Sequence, residues 1–118
     1  MISLIIPTHE ERDNIEPLLS RLKAVRDALN EPLEVLVIDS GSADGTAERA
    51  QDLLGRWQLG RAIESPRRRG LAQAVRAGVD EARGECIGVM DADLSHPPEL
   101  LPELAASVRA GSDIAVAS

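Results

Sequence analysis

Two carboxylates one residue apart, Asp91 and Asp93, stand between an apolar run and a Pro97-Pro98 pair. The apolar run predicts a strand and the prolines predict the first turn of a helix. Both carboxylates can then face the crevice where open α/β sheets bind their ligands. Mg²⁺ or Mn²⁺ held by few carboxylates, with water and phosphate oxygens completing its coordination, is typical of sites for nucleotide diphosphates. The alternative is a solvated loop with a helix cap.

Two further polar loops follow apolar runs earlier in the chain. Residues 8–12 read Thr-His-Glu-Glu-Arg, and residues 40–46 read Ser-Gly-Ser-Ala-Asp-Gly-Thr. Because loops after parallel strands gather at one edge of a sheet, the three acidic loops predict one shared crevice. In the second loop, Asp44 is expected to cap a helix rather than to bind a ligand.

Other reactive side chains give weaker signals. His96 has no Cys or His partner at zinc-ligand spacing, which argues against a zinc site. The basic run Arg67–Arg69 could contact a diphosphate or form a solvated turn. Cys86 is the single cysteine, so an internal disulfide is excluded, and we expect it to be buried at the start of a strand.

Composition limits the function further. The chain has 118 residues and a net charge of −7, which argues against broad nucleic-acid binding. It contains no Phe or Tyr, so bases cannot stack on aromatic platforms, and the core must use Leu, Val, Ile and Ala. No apolar run approaches the roughly 20 residues that span a bilayer, and no basic segment precedes the first strand. We therefore expect no transmembrane segment and no targeting signal.

Apolar runs that alternate with segments of helical spacing predict the order βαβαβαβαβ. The predicted strands are Ile2–Pro7, Glu34–Asp39, Arg61–Glu64, Cys86–Asp91 and Asp113–Ala117, and the predicted helices cover Ile15–Leu29, Ala47–Trp57, Gly70–Ala82 and Pro98–Arg109. Continuous apolar strands predict a mainly parallel sheet with helices on both faces. No closing helix follows the fifth run, so we expect half of a larger architecture.

Residues 5–15, 37–46 and 90–99, together with Gly70–Ala74 and Gly111–Ser118, resemble the inverting GT-A nucleotide-sugar glycosyltransferases of family 2. They look most like the polyprenyl-phosphate (dolichol-phosphate) mannose synthases. The resemblance implies a Rossmann-like GT-A fold in which residues 1–118 form the nucleotide-sugar-binding half, truncated before the acceptor-binding half. It also implies Mg²⁺ or Mn²⁺ as cofactor and a nucleotide-diphosphate sugar as donor, with GDP-mannose favoured.

The resemblance assigns roles to residues of all three loops. The expected nucleotide-sugar contacts are Pro7, His9, Glu11, Asp39, Ser40, Asp91 and Ala92, the expected metal ligands are Asp91, Asp93 and Ser95, and the expected catalytic residues are Asp91 and Asp93. Glu11 could also contribute to the cap of a helix that begins near Asn14.

Three positions depart from the family pattern. His9 stands where the family usually has Tyr, and Glu10 where it usually has Asn. Ser40 replaces the second of two adjacent aspartates, the one that reads the base and ribose. An imidazole offers less packing area than a phenol ring, and a serine cannot give the charge-assisted hydrogen bond that a carboxylate gives to an N–H of guanine or uracil.

The implied reaction is a single displacement at the anomeric carbon. A polyprenyl phosphate acceptor needs no strong general base because its oxygen is already anionic, whereas a sugar hydroxyl needs a carboxylate base. In the family the acceptor side lies beyond residue 118, so this chain could bind a donor without transferring sugar. The expected location is the cytoplasm, at the cytoplasmic face of a membrane if the acceptor is a polyprenyl phosphate.

Proteins of other classes fit less well. A phospho-receiver domain needs a lysine near the end of its last strand, but Lys23 is the only lysine. A dinucleotide-binding domain needs Gly-x-Gly-x-x-Gly after its first strand, and that motif is absent. The remaining alternative is a non-catalytic GT-A module, truncated or degenerate, that forms a homodimer through its sheet edge or through an exposed apolar patch of several hundred Å².

Overall fold

All strands of the sheet run in the same direction, and helices flank it. The computed structural model describes residues 1–65, 70–94, 97–103, 106 and 114–117. The strands are β1 (Ile2–Thr8), β2 (Leu33–Asp39), β3 (Gly60–Glu64), β4 (Cys86–Met90) and β5 (Ile114–Ala117), in the spatial order β3-β2-β1-β4-β5. The helices are α1 (Arg12–Ala28), α2 (Thr46–Arg56) and α3 (Leu71–Glu81). The predicted parallel α/β fold is confirmed.

Alternate residues of the central strands enter two separate cores. Ile6 of β1 and Val37 of β2 pack on the face covered by α1 and α2. Ile5 and Leu36 pack on the opposite face, against α3. Both strands are therefore buried on two sides, which explains their continuous apolar sequence and confirms the prediction of helices on both faces.

The apolar stripe of α1 follows the predicted spacing. Its buried side chains are Ile15, Leu18, Leu19, Leu22 and Val25. Full burial of one such leucine or isoleucine contributes about 1.5–3 kcal/mol relative to leaving it exposed. These aliphatic side chains fill the larger core without any buried Phe or Tyr, as the composition requires. Cys86 is buried at the start of β4, as predicted.

The predicted helix Pro98–Arg109 differs from the structure at its start. Pro98–Leu100 form a single 3-10 turn, and residues 101–103 continue in helical conformation. Residues 104, 105 and 107–110 lie outside the described residues. An ion pair between Arg21 of α1 and Glu99, with 2.5 Å between Nη2 and Oε1, connects the turn to α1 at the surface. This hydrogen bond from Arg21 lowers the pKa of Glu99 below its ordinary value.

The strand order reverses between β1 and β4, and this is where the polar loops meet. Ile5 of β1 pairs with Val89 of β4, and Thr8 pairs with Asp39 of β2. The loops that follow these three strands therefore leave the same edge of the sheet side by side. Ligands of open α/β sheets bind at such a reversal, outside the carboxyl ends of the strands.

Two further expectations concern the surface. Among the described residues, Leu71 is the one large apolar side chain that is exposed, at 59%. The described surface therefore gives little support to an extended apolar patch, which is one of the two surfaces considered for a dimer, and dimerisation stays a prediction. Within the same residues, no helix has the length and apolar character needed to cross a bilayer.

We expect Gly78→Ala to destabilise the fold by about 1–3 kcal/mol, because α3 approaches β1 too closely for a larger side chain. A Cβ on Gly78 would lie 2.6 Å from Cγ2 of Ile5, and Ile5 is fully buried and cannot move aside. The matched control is Gly55→Ala in α2, where the nearest atom lies at 3.7 Å and alanine should stabilise the helix by about 0.5–1 kcal/mol. Urea unfolding measures both changes, and equal effects would contradict the proposed close packing.

Candidate functional site

A cleft of about 530 Å³ opens at the carboxyl edge of the sheet, beside the start of α3. Its volume lies in the usual range for small-molecule sites. The residues lining it are Pro7, Thr8, His9, Ser40, Gly70, Leu71 and Ala74. The structure thus brings together three of the residues predicted to contact the nucleotide sugar: Pro7, His9 and Ser40.

Hydrogen bonds join the first two loops across the floor of the cleft. The Nδ1 atom of half-buried His9 lies 3.1 Å from the carbonyl oxygen of Ser40. A carbonyl oxygen only accepts hydrogen bonds, so Nδ1 carries the proton and donates it. The backbone N–H of Ser40 donates in turn to the carbonyl oxygen of Thr8, at 3.0 Å. The imidazole is thereby held in one orientation.

Asp39 lies beneath the cleft with its side chain fully buried. Its Oδ1 accepts hydrogen bonds from the hydroxyls of Thr8, at 2.8 Å, and Ser42, at 2.6 Å. Its Oδ2 accepts the backbone N–H of Ser42, at 2.9 Å. A buried carboxylate needs such partners to offset its lost hydration. Asp39 therefore supports the loops from below, and its predicted contact with the nucleotide stays a prediction.

Hydrogen bonds of Glu10 connect the first loop to the second. Its carboxylate accepts the backbone N–H groups of Ala43, at 3.2 Å, and Asp44, at 3.1 Å. Its own N–H donates to the hydroxyl of Ser42, at 2.7 Å. Glu10 has a positive φ of 53°, a conformation that costs a residue with a Cβ about 1–2 kcal/mol. These hydrogen bonds offset that strain and hold the two loops in fixed positions relative to each other.

Asp44 supports the start of α2, as the sequence predicts. Its Oδ1 accepts hydrogen bonds from the backbone N–H of Thr46, at 3.0 Å, and from the Thr46 hydroxyl. The Thr46 hydroxyl, followed by the backbone N–H of Arg12, holds the pKa of Asp44 below its ordinary value of 3.8. Because Gly45 is the N-cap residue, Asp44 acts from the position before it.

Glu11 belongs to a helix cap, as predicted, although the helix does not begin near Asn14. The helix begins earlier, at Arg12, with Glu11 as its N-cap residue, but the Glu11 side chain makes no capping hydrogen bond. Its carboxylate instead accepts the side-chain amide of Asn14, at 2.9 Å. Glu11 is also not among the residues that line the cleft, so its predicted contact with the nucleotide stays a prediction.

The third loop places both predicted metal-binding carboxylates at the surface. Asp91 and Asp93 are exposed, directly after β4. Between them, the side chain of Ala92 is buried in the larger core, so a nucleotide contact of Ala92 would come from its backbone. The predicted ligand Ser95 lies outside the described residues, as do His96 and Arg67–Arg69. The described part of the chain contains no group of three acidic, histidine or cysteine side chains that could enclose a metal.

Sequence patterns predict the rest of the site only in part. Four residues line the cleft although none was predicted as a site residue: Thr8, Gly70, Leu71 and Ala74. Ser42 and Glu10 make the contacts that join the loops, and neither was assigned a role. A Ser three residues after a strand-ending Asp is a usable signal, because aspartates commonly bond nearby backbone groups in turns. No local sequence pattern predicts the contacts of Glu10, since its partners lie more than 30 residues away along the chain.

We expect Ser42→Ala to lower the free energy of unfolding by about 1–3 kcal/mol. The substitution removes the hydroxyl that donates to buried Asp39 and accepts from Glu10. The control is Ser20→Ala on the exposed face of α1, which should be neutral or slightly stabilising because alanine favours helix. Equal stability of the two variants in urea unfolding would show that the Ser42 hydroxyl does not hold the loops.

The lowered pKa of Asp44 predicts a pH-dependent contribution to stability. A carboxyl whose pKa is lower in the folded protein stabilises the fold above its unfolded pKa, and this contribution disappears as the pH falls through the folded value. Wild type should therefore exceed Asp44→Asn in stability at pH 7, and the difference should shrink below about pH 4. Thermal unfolding from pH 7 to pH 2.5 measures it; a constant difference would contradict the assignment.

Comparison with known proteins agrees with this arrangement. The family model described as glycosyl transferase family 2 matches residues 3–118. A dolichol-phosphate mannosyltransferase from Pyrococcus furiosus is 44% identical over 117 residues, which make up 99% of this chain and 32% of that protein.

Two solved structures share the fold. A mannosyltransferase from Pyrobaculum calidifontis, in complex with GDP-Man and Mn²⁺, has a TM-score of 0.75 and 31% identity over 92% of this chain and 31% of its own. Glucosyl-3-phosphoglycerate synthase from Mycobacterium tuberculosis, in complex with Mn²⁺, uridine diphosphate and phosphoglyceric acid, has a TM-score of 0.73 and 26% identity over 92% of this chain and 38% of its own.

The chain spans about a third of the length of such relatives. Within that span, the parallel sheet, the cleft beside His9 and Ser40 and the match over residues 3–118 agree. The chain belongs to glycosyl transferase family 2.

Proposed function

We propose that residues 1–118 form the nucleotide-sugar-binding half of an inverting glycosyltransferase that uses a divalent metal, with GDP-mannose as the favoured donor. The acceptor in this proposal is a polyprenyl phosphate. The observation that carries it is the cleft at the carboxyl edge of the sheet, lined by Pro7, His9 and Ser40. The loop bearing Asp91 and Asp93 leaves the same edge, directly after β4.

The carboxylate oxygens of Asp91 and Asp93 are suitable ligands for a hard divalent cation. Asp91 and Asp93 offer carboxylate oxygens at the surface, where water and diphosphate oxygens could complete the coordination shell of the ion. Such a shell does not need a third protein carboxylate, which agrees with the absence of a larger acidic group among the residues that the structure describes. When bound, Mg²⁺ or Mn²⁺ neutralises the negative charge that develops on the diphosphate leaving group.

The chain's own residues bind and orient the donor. Pro7, His9 and Ser40 hold the nucleoside in the cleft, and the bonds of Asp39 and Glu10 keep these residues in place. Asp91 and Asp93 hold the diphosphate end next to the strand edge. Fixing the anomeric carbon in this way lowers the entropic cost of attack. Because the acceptor phosphate attacks from the opposite face in one displacement, the configuration inverts.

Two features of relatives support the choice of donor and acceptor. The Pyrococcus furiosus relative is named for transfer to dolichol phosphate, and the Pyrobaculum calidifontis structure contains GDP-Man and Mn²⁺. A phosphate acceptor also suits this half of the site, because its anionic oxygen requires no general base. The proposed location is the cytoplasmic face of a membrane.

Calorimetric titration of GDP and UDP, each with and without Mn²⁺, tests the proposal on this chain. We expect binding that depends on Mn²⁺ and that is weakened about 10-fold or more in Asp93→Ala, because a ligand of the cation is lost. The preferred nucleotide would identify the base of the donor.

Asp80→Ala is the matched control. Asp80 is an exposed carboxylate near the end of α3, at the opposite edge of the sheet from the cleft. Its substitution changes net charge as Asp93→Ala does, but should leave nucleotide affinity unchanged. Failure of wild type to bind either nucleotide at millimolar concentration would contradict the proposal and favour a non-catalytic module.

A further inference from the structure

The imidazole of His9 has one nitrogen left for a ligand. Nδ1 donates to the carbonyl oxygen of Ser40, at 3.1 Å, so the neutral ring carries its proton on Nδ1. Nε2 of that tautomer has a lone pair and accepts a hydrogen bond. His9 is half-buried and lines the cleft. The contact with Ser40 thus makes the remaining nitrogen an acceptor.

Few other acceptors remain in the cleft. Among its described lining residues, only Thr8, His9 and Ser40 carry polar side chains, and none of these is a carboxylate. The Thr8 hydroxyl already donates to Asp39. The Asp39 carboxylate is fully buried and engaged by Thr8 and Ser42. The side-chain acceptors among these residues are therefore Nε2 of His9 and the hydroxyls of Ser40 and Thr8, of which the Thr8 hydroxyl belongs to a buried residue.

We infer that Nε2 of His9 reads the base of the nucleotide by accepting its ring N–H. This inference rests on the proposed nucleotide-binding function and names the residue that decides base specificity. Guanine and uracil carry a ring N–H on the edge that they present for pairing, whereas adenine and cytosine carry a lone pair there. A second lone pair opposite Nε2 leaves both acceptors unsatisfied, which costs affinity. The site should therefore prefer GDP or UDP over ADP and CDP.

The residues at positions 9 and 40 fit this role. A carboxylate acceptor at position 40 would be charged, but the serine present there is neutral. The imidazole at position 9 supplies a neutral acceptor instead. The backbone carbonyl of Ser40, the residue that stands in place of the carboxylate, orients this imidazole. The two departures from the family pattern, at His9 and Ser40, thus compensate each other.

The first test reads the tautomer in the nucleotide-free protein. We would record ¹⁵N-detected NMR spectra of the imidazole at pH 8 in a His96→Gln background, which leaves His9 as the only histidine. The inference requires the proton on Nδ1. A proton on Nε2 would overturn it, whatever the affinity for nucleotides.

The second test compares GDP with N1-methyl-GDP, and UDP with N3-methyl-UDP, by calorimetry in the presence of Mn²⁺. Methylation removes the ring N–H, so it should weaken binding about 3- to 10-fold in wild type. In His9→Phe, which keeps a ring but has no acceptor, methylation should have no such effect. Asp80→Ala serves as the control and should respond as wild type does.

The outcomes separate the two claims. If wild type binds GDP or UDP and methylation weakens wild type and His9→Phe equally, the role of His9 is wrong while nucleotide binding stands. If wild type binds neither nucleotide, the proposed function fails, and base reading by His9 fails with it. Preference for ADP or CDP over both GDP and UDP would also overturn the inference.

Discussion

The buried carboxylate of Asp39 is the interaction on which the arrangement of the site depends. It lies at the end of β2 and accepts hydrogen bonds from Thr8, at the end of β1, and from Ser42, in the following loop. A charge without these donors could not be buried at the carboxyl edge of the sheet. The same hydrogen bonds that satisfy it therefore join the two loops whose residues His9 and Ser40 line one cleft.

Close packing of α3 completes the cleft from the other side. Gly78 lets α3 approach β1 at Ile5, which places the first turn of the helix beside the ends of β1 and β2. Gly70 precedes that turn with a positive φ of 86°, a conformation that glycine adopts without strain. The binding surface thus combines two strand ends with a helix start, and its shape follows from how closely α3 packs on the sheet.

The contacts between the loops explain what the residues that depart from the family pattern do in this structure. Glu10 has a structural role, because its carboxylate accepts hydrogen bonds from two backbone N–H groups of the neighbouring loop. The carbonyl oxygen of Ser40 accepts the hydrogen bond from His9, and Ser40 also lines the cleft. The chain has altered how its loops are joined while keeping the exposed pair Asp91 and Asp93 at the strand edge. These substitutions are compatible with donor binding and do not by themselves indicate a degenerate module.

Sequence by itself determined the elements, the parallel sheet, the burial of Cys86 and the edge at which the loops meet, because apolar periodicity is a local property of the chain and loops after parallel strands leave the same edge. It also predicts that the loops bearing Pro7, His9 and Ser40 meet, since each loop follows a strand, and the resemblance to the family assigns these residues to the nucleotide. Only the tertiary structure decided that α1 begins at Arg12 and that the Glu11 carboxylate accepts the side-chain amide of Asn14. Only it showed that Glu10 and Ser42 hold the second loop. Those contacts with Glu10 join groups more than 30 residues apart, and their geometry depends on how the strands pair and how the backbone turns, which no local pattern encodes.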